Sequence, residues 1–242
     1  DLTNLNATNL TSGTVPDARF PATLPIANGS ALTNLNATNL GSGTVPDARF
    51  PATLPAISGA NLTNLPGGGA YNLLSTTTIS SQVASVSITS NINSTYRDYM
   101  LVLSDIHTSA DDVTIQARVY SSNGSPDSSS SAYNYAGVGW RSDGANLNMA
   151  SAGATYSQIS LWGQGNDNAE AGSLVLYMFN PSGTTHNKSF MSTSIAQTID
   201  GRTAVGTNGF LYRNGTVAVT GILFQPSSGN FDTGVIKLYG IS

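Results

Sequence analysis

Residues 113–119 read VTIQARV. Val113, Ile115, Ala117 and Val119 fall on one side of an extended chain, and Thr114, Gln116 and Arg118 on the other. That two-residue period belongs to a pleated strand with one face buried, not to a helix of 3.6 residues per turn. Upstream, residues 99–106 (YMLVLSDI) are apolar on both faces at first, which suits a central strand, and 83–88 (VASVSI) alternates at Val86 and Ile88. Downstream, 157–162 (SQISLW), 173–179 (SLVLYMF) and 188–195 (KSFMSTSI) read as strands. Asn214-Gly215 predicts a hairpin turn from 209–213 into 216–224 (TVAVTGILF), and 234–240 (GVIKLYG) closes the series. No segment has helical periodicity. The expectation is an all-β domain over residues 70–242, an antiparallel, jelly-roll-like β-sandwich of roughly eight to ten strands.

One stretch interrupts this pattern. Residues 121–156 are polar and broken by glycines, which predicts a long loop. Loops beyond about 12–15 residues in a compact domain usually either carry function or wander. This one holds Tyr133, Tyr135 and Trp140 beside Asn134, Arg141 and Asp143.

Before residue 70 the chain is written in repeats. Residues 2–25 (LTNLNATNLTSGTVPDARFPATLP) recur at 32–55 with one change, Thr11 against Gly41, at a period of 30. A partial third copy, ISGANLTNL (57–65), breaks off at Pro66-Gly67-Gly68-Gly69, a hinge or adaptor. Large apolar residues are five apart, at Leu5, Leu10, Val15 and Phe20 and again at Leu35, Leu40, Val45 and Phe50. That spacing is neither 3.6 nor 2.0, and Pro16, Pro21, Pro25 and their copies exclude a long helix or heptad coiled coil. One chain cannot bury so sparse a stripe, whereas three chains side by side direct it at a shared axis. Residues 1–69 therefore predict a repetitive fibrous shaft in an obligate homotrimer, with a flexible linker and a single-chain solenoid as the alternatives. Asp17 and Arg19 have the signs to pair between chains, for about 0–1 kcal/mol.

Charged residues make up 9% of the chain, where about 25% is ordinary, with a net charge of −4. Sequence-independent nucleic acid binding needs a basic surface that this composition lacks, so no nucleic acid partner is expected. There is no cysteine, hence no disulfide or thiolate metal site. No apolar run approaches the roughly 20 residues of a membrane span, so no membrane insertion is expected. The opening DLTN reads as a cut into a longer protein.

Catalytic motifs are also missing. There is no GxxxxGK[ST], HExxH or G-x-S-x-G. His107 and His186 are far apart in sequence and read as members of local networks. Asp111-Asp112 reads as a turn. The run 166–170 (NDNAE) has oxygens enough for a hard cation but lacks the calcium-loop pattern, so Asp167 and Glu170 read as a solvated turn. No enzyme activity, metal or cofactor is predicted. The better lead is aromatic. Sugars stack on Tyr and Trp while short polar groups satisfy their hydroxyls. Tyr133, Tyr135, Trp140, Arg141, Asp143, Trp162, Gln164 and Asn166 supply both halves as a candidate glycan site.

The repeats LTNLNATNLTSGTVPDARFPATLP and ISGANLTNLPGG resemble those of tail fibres and appendage proteins of tailed bacteriophages, especially marine ones. The tract 96–103 (YRDYMLVL), the alternating 113–119 strand and GVIKLYGI (234–241) are similar to the β-domain that often ends such proteins. The resemblance implies a homotrimeric virion fibre on the extracellular surface of the particle. It would join other virion proteins at its N-terminal end and adsorb to a bacterial surface polysaccharide or outer-membrane protein. A capsid or tail decoration protein with a purely structural role is the alternative that the same vocabulary implies.

Overall fold

The computed structural model describes residues 70–121 and 124–242. The repeat at 1–69, with the axis residues Leu5, Leu10, Val15, Phe20, Leu35, Leu40, Val45 and Phe50, lies outside the described residues.

The described chain is entirely β. Its strands are β1 (Tyr71–Ile79), β2 (Val86–Ile88), β3 (Asp98–Thr108), β4 (Ile115–Tyr120), β5 (Tyr133–Arg141) and β6 (Asn146–Ala154). They continue with β7 (Ser157–Gln158), β8 (Gly172–Phe179), β9 (Lys188–Gln197), β10 (Thr203–Tyr212), β11 (Gly221–Pro226) and β12 (Phe231–Ile241). Two antiparallel sheets result, one of eight strands ordered β1-β12-β3-β8-β9-β10-β5-β6 and one of four ordered β2-β11-β4-β7.

Alternation decides which residues meet between the sheets. In β4, Ile115, Ala117 and Val119 are buried, and Phe224 and Ile222 of neighbouring β11 join them. From the larger sheet come Tyr99, Leu101 and Leu103 of β3, Leu176 and Met178 of β8, and Leu238 of β12. All belong to one continuous core. Each Val, Leu, Ile, Phe or Met side chain among them contributes about 1.5–3 kcal/mol when fully buried.

Within the expected loop, residues 133–154 are not a loop. Two long strands, β5 and β6, run through them as a hairpin, and β5 pairs along its whole length with β10. The glycines that read as breakers are places of close approach instead. Gly137 and Gly139 of β5 and Gly206 of β10 leave a trough on the inner face that is filled by Leu161. A Cβ added at those positions would lie 3.0, 3.2 and 3.1 Å from Leu161 side-chain atoms. Seating Leu161 there also ends the strand expected at 157–162 after two residues, because the chain must turn into the sheet.

Asn214-Gly215 likewise does not join a hairpin. β10 belongs to the eight-stranded sheet and β11 to the four-stranded one, so the turn carries the chain between sheets. The segment entering β5 is pinned by Asp127, whose carboxylate accepts from Tyr212 Oη (2.7 Å), Asn214 Nδ2 (2.7 Å) and the Ser129 amide (2.8 Å).

Candidate functional site

Because residues 133–141 form a strand, neighbours in sequence point to opposite faces of the sheet. Trp140 faces outward, paired across the sheet with Val205 and Asn146, and is 57% exposed. Arg141 turns to the inner side, where its guanidinium carbon lies 5.2 Å from the centroid of the Trp162 ring. That is cation–π range. Trp162 is positioned by Leu161 in the glycine trough, and its ring passes so close to β5 that a Cβ at Gly139 would lie 2.9 Å from Nε1.

The β5–β6 turn brings Asp143 back onto Arg141. Gly144, at φ 88°, supplies the left-handed residue that the turn needs. Arg141 donates a two-pronged pair to the carboxylate, Nε to Oδ1 at 3.0 Å and Nη2 to Oδ2 at 2.8 Å, and the Ala145 amide donates to Oδ1 at 3.1 Å. These contacts, the Arg141 fork first, hold the Asp143 pKa down at about 2, and the same pairing raises that of Arg141. The β9–β10 turn completes the group. Asp200 lies 3.4 Å from Arg141, Arg202 lies 3.4 Å from Asp143 and also pairs with Asp200, and Thr198 donates to Asp200 at 2.5 Å. Two arginines and two aspartates thus form a closed, preorganised network at one end of the sheet, on the side away from Trp140.

The remaining candidates are elsewhere. Tyr133 is fully buried; its hydroxyl accepts from the Val119 amide and donates to the Asp127 carbonyl, both at 2.9 Å, and burial drives its pKa far up. Tyr135 is half-buried against the core. Gln164 is buried and donates through Nε2 to Ile106 O (3.0 Å) and Thr108 Oγ1 (3.3 Å). Asn166 holds the same segment to the end of β3, donating its amide to Asp111 (3.2 Å) and Nδ2 to Ser109 O (3.3 Å). Of the eight residues, the structure brings together Arg141, Asp143 and Trp162, and turns Trp140 to the opposite face of the sheet.

Asp200, Arg202 and Thr198 were missed. Their signal was the run 198–202 (TIDGR), opposite charges flanking a glycine between two alternating segments, which marks a charged hairpin tip.

His107 lies in a local network, 3.2 Å from Asp232 Oδ2 and 3.1 Å from the Asn166 carbonyl. Glu170 is buried rather than solvated. It folds over Gly165 and accepts from the Asp167 amide at 3.1 Å. Among the described residues no three His, Cys, Asp or Glu side chains are grouped to hold a metal ion.

Chemically, the strand end offers an exposed indole on its outer face and fixed donors and acceptors at its turns and inner side. It can stack a ring and hydrogen-bond hydroxyls. No protein-family model matches the chain, and neither does any curated protein or solved structure.

Proposed function

We propose that residues 70–242 form a jelly-roll-like β-sandwich head on a homotrimeric shaft of residues 1–69, in a bacteriophage tail fibre or virion appendage. The head binds a host surface glycan, without catalysis, and three weak sites on one fibre raise avidity roughly 10²–10⁴-fold over a single site. The observation that carries the reading is the exposed indole of Trp140 on the outward face, at the strand end whose inner side and turns carry the Arg141–Asp143–Asp200–Arg202 network. An exposed indole face supplies the apolar wall of a sugar subsite, and the polar turns at the same strand end are the source of its hydrogen-bonding groups.

The test is binding of the full chain to a panel of bacterial lipopolysaccharides and capsular polysaccharides. Trp140→Ala is expected to leave the melting temperature unchanged, because the side chain is largely in water, and to weaken binding at least tenfold. Equal binding by wild type and variant removes the site. A protein that binds no polysaccharide but is needed to keep purified particles intact is the decoration protein of the alternative reading.

A further inference from the structure

Trp140 does not stand alone on the outward face of the eight-stranded sheet. Its cross-strand neighbours are Asn146 on β6 and Val205 on β10. Two residues along the strands, the next row runs Asn148, Val138, Thr207 and Thr193 across β6, β5, β10 and β9. Asn146, Asn148 and Thr193 are exposed and Thr207 is half-buried, and among the described residues none of these four side chains has a hydrogen-bond partner. One row further, Ala150, Ala136 and Gly209 carry almost no bulk, and they floor an open depression of about 560 Å³ bounded by Leu211 and Ser189. Its floor lies four residues along β5 from Trp140, a distance of about 13 Å. Among the described residues, no outward position that pairs across β8, β9, β10, β5 and β6 carries a charge.

We propose that this surface binds an uncharged glycan of several sugars, one ring stacked on Trp140 and the chain running along β5 and β10 into the depression. The inference deepens the attachment reading of Trp140 and rests on it. A sugar chain alternates apolar C–H faces with hydroxyls, and this face alternates in the same way, its unpaired amides and hydroxyls set between Val138, Val205 and the alanines. The small residues let a ring come close to the sheet, which gives the apolar floor with a few polar groups of ligand sites in general. A uronic or sialic acid carboxylate would reach this face with no cation to meet it, and taking a charge out of water without a partner is costly. An apolar peptide or a second copy's apolar surface would bury the same amides and hydroxyls unpaired, which counts against both.

The probes are lipid-free bacterial polysaccharides titrated against the full chain, one set uncharged O-chains and the other capsular chains carrying uronic or sialic acid. Binding is expected to the uncharged set, changing less than about twofold between roughly 0.05 and 0.5 M NaCl because no ion pair is there to be screened. Gly209→Leu fills the depression and should weaken that binding at least about tenfold. Its Cβ would meet only the Phe190 carbonyl, at 3.7 Å. Ala150→Leu, on edge strand β6, is a second filling should the first fail to fold. Both variants keep Trp140, so a loss in either places the bound chain beyond the indole. Trp140-dependent binding of an acidic chain overturns the proposal, and so does binding that both fillings leave untouched. A filling that changes the sedimentation of the unliganded protein also overturns it, making the face a contact between copies. Failure of the attachment reading shows differently, as no polysaccharide bound or as binding indifferent to Trp140→Ala, and takes this inference with it.

Discussion

Asp127→Ala is expected to lower the unfolding free energy by about 3 kcal/mol, measured by urea denaturation at pH 7. The carboxylate is buried and receives Tyr212 Oη, Asn214 Nδ2 and the Ser129 amide, and hydrogen bonds to a charged group contribute about 1.5–3 kcal/mol each with incomplete additivity. Alanine leaves those donors unpaired at the entrance to β5. Burial pushes the Asp127 pKa up, but hydrogen bonds from Tyr212, Asn214 and the Ser129 side chain and amide outweigh it and bring it down to about 2. A folded-state pKa below the unfolded one stabilises the fold above the unfolded value and loses that contribution as pH falls through the folded value. The wild type should therefore lose about 2 kcal/mol between pH 5 and pH 2 on account of this group. The difference in stability between wild type and Asp127→Asn should shrink over that window. A constant difference would show that Asp127 does not titrate there.

Gly139→Val should cost a comparable amount, about 3 kcal/mol or more. Its Cβ would lie 2.7 Å from the Val205 carbonyl oxygen and 2.9 Å from Trp162 Nε1, so either β10 or the indole must move. Moving the indole breaks its stack with Arg141, and the tryptophan emission of the folded variant should shift accordingly. Gly209→Ala, on the same sheet with room for its methyl, should stay within about 0.5 kcal/mol of wild type. Equal stabilities for both variants would mean that the trough tolerates side chains after all.

Much of the fold could be read from residues whose apolar side chains alternate. β3, β4, β8 and β12 lie where that period placed a strand, since Val, Ile, Leu and aromatic side chains mark the buried face directly. β9, also placed, instead buries Lys188, Ser192, Ser194 and Ala196 with Phe190 and turns Met191 and Ile195 outward. β5 and β6 carry their pattern in Gly, Ala, Ser and Asn, which signal a turn by propensity and a strand only through what packs on them. Leu161 is the partner that makes sense of Gly137, Gly139 and Gly206, and nothing in the sequence links the four positions. β1, rich in Ser and Thr, was missed because its burial comes from pairing with β12 across some 160 residues.

The candidate site was legible to the same limited degree. Composition picked out Trp140, Arg141 and Asp143, but reading their segment as a loop left their directions undefined. A strand fixes those directions, turning Trp140 and Arg141 to opposite faces. Tyr133 and Gln164 were chosen for their chemistry, and the core claims both.

The pairing of β1 with β12 sets how the domain bears tension. Tyr71 lies opposite Ile241, and the Ser242 amide donates to the Ala70 carbonyl, so the first and last described residues are side by side. A pull that separates these two ends strains one rung of the ladder at a time, as a zip is opened from its tab. The same ladder gripped at opposite ends of the two strands would have to rupture many rungs together. Force applied across the two ends therefore finds the softest direction of the sheet, and the domain holds best when only one end is under load.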